Sequence, residues 1–517
     1  QIKNKIKKNK SFIFVFSILL GVISSFALPP YNHFIINFFV YSLIFIFCNF
    51  LNGNKKYLFI CGLLFGFGYF FSNLYWISNS LKFDDTFKFL IPVSLILIPL
   101  FLSIFYGISF LVLSFFRLNY NFSSILYFAT VISFFEYLRG TILTGFPWNL
   151  IVYSFSNQLE LISIISIVGT YGFNLFCISL FTSPAIFILK DRNKDIAVCV
   201  FFLISVVALY FYGSNYKEKF DNTAKKSNDY TIRVIGSNIS LDRFYSDVDT
   251  TSSIIKELIK ISDPNVNDKT IFVWPEGMLP SITSEELMRY NELFEKKFSQ
   301  NHILFIGTNS QVIKNGSTKY FNSLSIYDHE LNLLDTYHKI NLVPFGEFLP
   351  AENILKKIGL RSLTNNYQSF SKGKQRKIIE IRRENFSLKI LPLICYEIIY
   401  SGKISRDRDF DLIINVSEDG WFGSSIGPKQ HFNHSIFRAI ESGKYLIRSA
   451  NNGISAIINP IGVVEQKVNF NQSGFVDYKE SSIIQPTIFS KYGNKIFGLL
   501  ILLYIFLIFS FNRIKNE

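Results

Sequence analysis

LKILPLICYEIIY, residues 388–400, runs through an apolar stretch into a cysteine, and a tyrosine and a glutamate follow it at once. A short apolar run of this kind reads as a buried strand. The chain has only five cysteines. Cys48, Cys61, Cys177 and Cys199 fall in long apolar stretches, where cysteine behaves as a small apolar residue. Cys395 alone lies in text of ordinary globular composition, where it can form no internal disulfide and stands out as a free thiol.

A chain of 517 residues calls for more than one domain. Hydrophobic residues make up 49% and charged residues 17%, which is oily for a soluble enzyme and too polar for a chain that is membrane throughout. The unevenness marks the domains. Apolar windows long enough to cross a hydrocarbon core lie near 11–28, 33–51, 57–76, 89–115, 123–138, 160–189 and 196–213, with another near 495–511. The window at 123–138 is the weakest, because it is short and ends in Glu136 and Arg139. The expected organisation is a transmembrane region of seven spans over 1–213, a soluble domain over 214–492, and a final span with a short tail over 493–517.

Lys3, Lys5, Lys7, Lys8 and Lys10 precede the first span, Lys55 and Lys56 follow the second, and Arg117 follows the fourth. Lys190, Arg192 and Lys194 lie between the sixth and seventh. By the positive-inside rule the N-terminus is cytoplasmic, seven crossings place the large domain outside, and the eighth returns the tail NRIKNE. The SSFA near the end of the first span resembles a signal-peptide cleavage site. A retained span is expected, and cleavage would leave the later topology unchanged. The net charge of +14 is accounted for in large part by the inside loops. No basic stripe interleaved with aromatics suggests a nucleic acid partner.

Between 214 and 492, strand-like runs occur at 231–239, 269–276, 302–309, 319–328, 386–395, 411–417, 445–450 and 454–460. Helical patterns lie near 249–261, 284–299 and 428–443. Such alternation implies α/β layers. The segment 345–375 lacks strand pattern and carries Phe348, Leu349, Ile354, Leu355 and Leu360, so it reads as a functional loop or lid.

Three polar residues stand where strands end. Glu276 closes VWPE, Lys339 follows the strand-like LLDTYH, and Cys395 closes LKILPLIC. Strand ends on one edge of an α/β sheet are where catalytic groups converge. Singly, a strand-end cysteine is more often packing, a Trp-Pro-Glu more often a turn, and a lysine more often surface. Together they make a chemical set. A thiolate is the nucleophile, a carboxylate takes and returns its proton, and an ammonium with backbone amides stabilises an oxyanion. That set describes acyl transfer through a thioester.

On these residues the sequence resembles the nitrilase, or carbon-nitrogen hydrolase, superfamily, whose Glu, Lys and Cys occur in this order on an αββα sandwich. With the flanking spans it resembles the apolipoprotein N-acyltransferase family, on FPWN (146–149), WPEG (274–277), YHKINLVPFGEFLP (337–350), ICYE (394–397), NVSEDGWFGSSIGPKQH (415–431) and RSANNGISAIINPIG (448–462). The resemblance implies a multi-pass enzyme of the bacterial inner membrane with its catalytic domain on the periplasmic side. Its cysteine would take an acyl chain from a phospholipid, typically phosphatidylethanolamine. The chain would pass by a ping-pong route to the α-amino group of the N-terminal diacylglyceryl cysteine of an apolipoprotein. Glu276 is then the base, Lys339 the oxyanion-stabilising lysine and Cys395 the nucleophile. Glu347 positions Lys339, Tyr396 and Glu397 shape the site, and Trp421 lines it from a loop.

The text departs from the family near 231–246, with Gly236 where a glutamine is common and Phe244 nearest to where a tryptophan is common. The expected role of the 345–375 arm is to face the outer leaflet and exclude water, with Phe348 and Leu349 contacting lipid. The nearest rival is a membrane-tethered amidase acting on small amides, which shares the thioester but has no need of seven spans. A transporter or scaffold is a second rival, for which Glu136 and Arg139 are the residues to test. HFNH (431–434) sets two histidines at i, i+3, but without HExxH or a cysteine partner a packed helix is the expected reading, and no metal or cofactor is implied. A monomer is the simpler expectation.

Overall fold

The computed structural model describes the chain apart from residues 1–9, 52, 189–192, 246–248, 315, 359–368, 384–385, 404–408, 483 and 514–517. It forms two compact units. One comprises Gln1–Asn79, Thr86–Lys219 and Thr487–Glu517, and the other Ser80–Asp85 and Phe220–Pro486.

The first unit is helical. Among the described residues, four helical stretches are long and apolar enough to cross a membrane: Lys55–Lys82, Asp85–Leu113, Ile165–Phe187 and Cys199–Asp221. Ser11–Ser25, Ile35–Leu51 and Lys495–Phe511 are apolar but shorter. Phe122–Thr141 is a complete helix, although Glu136 and Arg139 dilute its apolar character. The stretch expected as one span at 160–189 contains the span-length Ile165–Phe187, with a local break inside it. It holds Leu159–Ile162, Ile165–Thr182 and Ala185–Ile188, and Gly169 leaves helical geometry at φ +72°. A Cβ at Gly169 would lie 2.0 Å from the Phe489 ring, so the ring occupies the space that only glycine leaves. Lys3, Lys5, Lys7, Lys8, Lys190 and Arg192, which the orientation argument uses, lie outside the described residues, as does most of the tail.

Glu136 and Arg139 are buried in this unit and each has its own partners. The Tyr106 hydroxyl donates to Glu136 Oε1 at 2.7 Å, and the Asn174 amide donates to Oε2. Arg139 donates to the carbonyls of Phe146 and Asn149, and its guanidinium lies 5.0 Å from the centroid of the Phe70 ring. The FPWN segment is therefore held by a charge bound to its backbone. Satisfied backbone and side-chain groups are what an apolar surrounding requires of irregular chain.

Helix packing here is close because small residues line it. A Cβ on Gly62 would sit 2.4 Å from the Tyr106 carbonyl, and one on Gly66 would sit 2.9 Å from Ser103. Gly21 and Gly68 meet the opposing backbone in the same way, at 2.1 Å from the Phe65 carbonyl and 2.3 Å from the Ile18 carbonyl. Small residues four apart let helices approach to backbone contact, which is the main source of attraction in lipid.

The second unit is built on two sheets. Among the described residues, the first has the order β13 (Gly474–Ser482), β1 (Lys225–Gly236), β2 (Thr270–Val273), β4 (His302–Lys314), β5 (Ser317–Tyr327) and β6 (Leu333–His338), with β3 (Leu279–Thr283) beside β4. The second has the order β12 (Val464–Val468), β11 (Ser455–Ile458), β10 (Tyr445–Asn451), β9 (Leu412–Glu418), β8 (Phe386–Ile394) and β7 (Ile379–Arg383). The sheets meet face to face, with the Ser449 hydroxyl in β10 reaching the carbonyls of Ile235 and Val273 at 2.7 and 3.0 Å. The helix Thr251–Ser262 buries Ile254, Ile255, Leu258 and Ile259 on the first sheet, in one core with Phe272, Trp274 and Leu304. The helix Gly427–Ser442 packs on β10 and β11. The layers are therefore αββα, as the resemblance implies.

Two differences from the sequence reading have physical causes. The helix expected at 284–299 is a short Leu287–Tyr290 turn followed by Asn291–Glu295. Breaking there lets Leu287, Phe294 and Phe298 all reach the core around Trp274. Strands β3, β7, β12 and β13 do not appear in the sequence reading, because their patterns are short and mixed with charge, as in VEQKV and GFVDYKESS.

Strand direction fixes where chemistry can gather. β1, β2 and β4 are parallel, as are β8, β9 and β10. Two antiparallel steps from β4 return β6 to the same direction. The carboxyl ends of β2 and β6 in one sheet thus share an edge with those of β8 and β9 in the other.

A valine at Gly62 forces two helices of the first unit apart. Overpacking of this kind costs about 1–3 kcal/mol. The expected result for Gly62→Val is a lowered unfolding temperature of the detergent-solubilised protein, and Gly498→Val, placed where a Cβ meets nothing within 4 Å, is expected to leave it unchanged.

Candidate active site

Glu276 follows β2 by way of Trp274 and Pro275. The Trp274 N–H still bonds the Phe305 carbonyl at 2.8 Å, so the ladder carries the chain straight to the carboxylate. Its neighbour on β4 is Gly307, where a Cβ would lie 2.4 Å from the Pro275 carbonyl and 2.6 Å from Glu276 Cα. Only glycine lets the 275–276 backbone descend so far.

Lys339 follows β6 and is buried, with 1% of its surface exposed. Its Nζ donates to Glu276 Oε1 at 3.0 Å and to Glu347 Oε1 at 2.9 Å. Asn322 of β5 donates to the same two oxygens, at 2.7 and 2.6 Å. The remaining carboxylate oxygens are also occupied: Glu276 Oε2 accepts the Glu418 N–H at 2.9 Å, and Glu347 Oε2 accepts the Val343 N–H at 2.8 Å. Burial pulls the Lys339 pKa down, but Glu276, Glu347 and Cys395 outweigh it and hold the pKa well above an ordinary lysine. Burial raises the Glu347 carboxyl, against the pull of Lys339 and with the help of Glu276.

Cys395 opens the turn after β8 with φ +48°. For a residue with a side chain, the left-handed region costs roughly 1–2 kcal/mol. Strain of this kind persists only where the surroundings over-determine it. Glu397, fully buried, supplies one restraint. Its Oε2 accepts the Ile394 N–H at 2.9 Å, and its Oε1 accepts the N–H groups of Ile340 and Asn341 at 2.9 and 3.1 Å. The Tyr337 hydroxyl reaches both oxygens, and Arg376 lies 3.4 Å away. One carboxylate thus ties the residue before Cys395 to the two residues after Lys339. Tyr396 is buried on the same turn and stacks edge-on with Tyr400.

Burial pushes the Cys395 thiol well above its ordinary pKa, and Glu276 adds to this; Lys339 pulls it back without cancelling the effect. The resting group is a neutral thiol beside a carboxylate and an ammonium. Such a site can take a proton from sulfur as it attacks and meet a developing oxyanion with a fixed cation.

Trp421 lies on the turn Asp419–Phe422, with its ring 5.0 Å from Phe244, 5.9 Å from Phe83 and 6.4 Å from Tyr245. Phe244 also comes within 3.2 Å of where a Cβ on Gly277 would stand. The aromatic at the departed position therefore still flanks the strand end that carries Glu276. Gly236 closes β1 against Ser455 and Val468, where a Cβ would be about 3.0 Å from both.

The apolar arm differs from expectation. Leu349 is buried and Phe348 half-buried, whereas Phe345 and Ile354 are 50% and 66% exposed. Phe345 takes φ +65° in a turn closed by its N–H to the Phe348 carbonyl, which turns its ring outward and Leu349 inward. Leu360 and the side chain of Leu355 lie outside the described residues. The sequence reading missed Asn322 and Arg243. Arg243 pairs with Glu418 in the interior and bonds the Gly277 carbonyl at 3.3 Å. An asparagine inside an otherwise alternating strand, and an arginine within the departed segment, were the available signals.

The family model described as apolipoprotein N-acyltransferase N-terminal domain matches residues 20–182, and that of carbon-nitrogen hydrolase matches 241–485. The protein named apolipoprotein N-acyltransferase of Rhodopseudomonas palustris is 31% identical over 499 residues, covering 93% of this chain and 91% of its own. The chain belongs to the apolipoprotein N-acyltransferase family. Its counterpart in Rickettsia prowazekii is 33% identical, covering 93% of this chain and 94% of its own. Among solved structures, the nitrilase-superfamily protein Nit3 of Saccharomyces cerevisiae is similar over 48% of this chain at 15% identity and a TM-score of 0.33.

The raised thiol pKa has a definite consequence. Below its pKa, thiolate and hence alkylation rate rise about tenfold per pH unit. Alkylation of Cys395 by iodoacetamide, followed by intact mass, is expected to climb steadily through the alkaline range. Lys339 favours the thiolate, so in Lys339→Met the profile is expected to move to higher pH; an unmoved profile would show that the ammonium does not act on the sulfur.

Proposed function

We propose that this protein transfers a fatty acyl chain from a membrane phospholipid to the α-amino group of an N-terminal diacylglyceryl cysteine. The observation that carries the reading is the buried meeting of a carboxylate, an ammonium and a lone thiol in a chain of this family. In the first half, Cys395 Sγ attacks an ester carbonyl while Glu276 takes the thiol proton. Lys339 faces the oxyanion, the C–O bond breaks, and the lysophospholipid leaves with the proton that Glu276 returns. In the second half, the amine attacks the thioester, Glu276 takes the N–H proton, and the C–S bond breaks to give the amide and the free thiol.

In this reading Glu347 and Asn322 hold Lys339 and Glu276, while Glu397 spaces the lysine from the cysteine. Tyr396 and Trp421 shape the surroundings, and phosphatidylethanolamine is the proposed donor. The protein acts as a monomer crossing the bacterial inner membrane eight times, with residues 214–492 on the periplasmic side. No cofactor enters the scheme.

Incubating the purified protein with a defined phospholipid and no acceptor is expected to add the mass of one acyl chain. Hydroxylamine should remove it, and Cys395→Ala should never acquire it. No adduct, with short amides hydrolysed instead, would favour a tethered amidase.

The exposed side chains of the arm supply a second test. Phe345→Ser with Ile354→Ser removes apolar surface without opening the interior, so the unfolding temperature should hold. The rate of thioester formation from phospholipid in mixed micelles is expected to fall several-fold; an unchanged rate would remove the arm from lipid handling.

A further inference from the structure

The buried pair of Arg243 and Glu418 reaches Glu276 from two sides, and no step above uses it. Arg243 lies on the short turn Leu241–Phe244, and Glu418 ends β9. Each side chain is 2% exposed. Arg243 Nη2 donates to Glu418 Oε2, and Nη1 donates to the carbonyls of Ser240 and Ile239 at 2.7 and 3.3 Å. Asn451, at the end of β10, donates to Glu418 Oε2 at 2.8 Å and to the Ile239 carbonyl at 2.9 Å. The Gly420 N–H donates to Glu418 Oε1 at 2.9 Å. Glu418 is thus held at both oxygens, and with it the backbone that carries them.

That backbone serves the base. The Glu418 N–H donates to Glu276 Oε2 at 2.9 Å. Arg243 Nε donates at 3.3 Å to the carbonyl of Gly277, the residue after Glu276, where the chain turns at φ +62°. A carboxylate offers about four acceptor sites, two on each oxygen. On Glu276, Oε1 is filled by Lys339 Nζ at 3.0 Å and the Asn322 amide at 2.7 Å. Among the described residues, Oε2 accepts the Glu418 N–H alone. The lone pair open to a proton is therefore on Oε2. Burying an ion pair is not in itself a route to stability, so this one calls for another role.

Resting on the reading of Glu276 as base and Cys395 as nucleophile, we propose that Glu276 carries the proton on Oε2 and that Arg243 is the positioning residue for that oxygen. Arg243 acts through two links, the Gly277 carbonyl and the Glu418 N–H. In the acylation half the S–C bond forms as the thiol proton passes to Oε2. The same proton goes to the leaving oxygen as the C–O bond breaks.

The test uses the full-length protein in detergent and p-nitrophenyl acetate, a small activated ester that needs no lipid site. Hydroxylamine-labile acetylation is followed by intact mass against pH, with Cys395→Ala as the blank. Failure of phospholipid acylation alone leaves this readout intact, whereas a wild type that is never acetylated would remove the nucleophile and this proposal together. Attack on a carbonyl is coupled to proton transfer, so the wild-type rate is expected to stay nearly constant across the neutral range. Arg243→Met is expected to lose about tenfold or more at neutral pH and, left to the thiolate, to climb about tenfold per pH unit. Glu276→Gln is expected to behave alike, and the double variant to match it within about threefold, because Arg243 acts through Glu276. A flat profile in Arg243→Met, even a lowered one, would mark a merely structural pair and overturn the proposal. Further slowing in the double variant would do the same. Should Arg243→Met not fold, Glu418→Gln takes its place: it keeps the backbone N–H but sets an amide against the donors around it. The climbing profile is expected there too, and a flat one would overturn the proposal equally.

Discussion

The ammonium of Lys339, buried between two carboxylates, is the constraint from which the rest of the second unit follows. Taking an ion out of water costs several kcal/mol even after relaxation. Nothing repays that unless each oxygen and each proton finds a partner. Glu276 and Glu347 supply the charge, Asn322 supplies donors to both, and the Glu418 and Val343 N–H groups complete the carboxylates. The partners come from the end of β2, the interior of β5, the end of β9 and the turn 343–347, so strand order and loop shape are both committed. Glycine is then required where chains crowd the site. Gly307 lies beneath Glu276, and Gly373 lies where a Cβ would be 2.3 Å from the His338 carbonyl.

The same logic explains what could be read from the sequence. Three of the candidate site residues sit at the ends of apolar runs, and a run that stops at a polar residue is visible without a structure. Glu276, Lys339 and Cys395 show themselves for that reason. Asn322 does not, because its role depends on β5 lying between β4 and β6, and pairing order is not written in any local window. Arg243, Glu418, Asp419 and Arg448 are hidden likewise: charged residues read as surface, and only the facing of two sheets buries them. The edge strands β12 and β13 were illegible because one face of each is solvated and carries lysine, glutamate and aspartate. The arm misled for a related reason. Phe348 and Leu349 look exposed in a strandless segment, but a left-handed residue at Phe345 turns Leu349 inward.

The helical unit solves a different problem with the same currency. Its helices pack where glycines remove side chains, so the fit depends on backbone shape more than on apolar pattern. Glu136 and Arg139 weaken the sequence signal for a span over 123–138, yet both are buried and bonded. A charge in an apolar stretch lowers hydropathy whether it faces lipid or a polar partner. The distinction needs Tyr106, Asn174 and the FPWN carbonyls, which arrive from elsewhere in the chain.

The state of the thiol links this architecture to the proposed chemistry. A cysteine with a depressed pKa attacks as a standing thiolate and also leaves easily, since expulsion speeds up as the leaving thiol's pKa falls. A two-stage transfer needs the reverse in its resting phase. The acyl group must stay on sulfur until an amine comes, and water must not take it first. Burial of Cys395 raises its pKa, which makes it a poor leaving group unless the oxyanion is met by Lys339 and the incoming nucleophile is deprotonated by Glu276. An amine that reaches both groups is helped at each step, whereas water in bulk has neither. The high thiol pKa is thus compatible with nucleophilic catalysis only because base and cation are pre-placed, and that placement is what the buried lysine enforces.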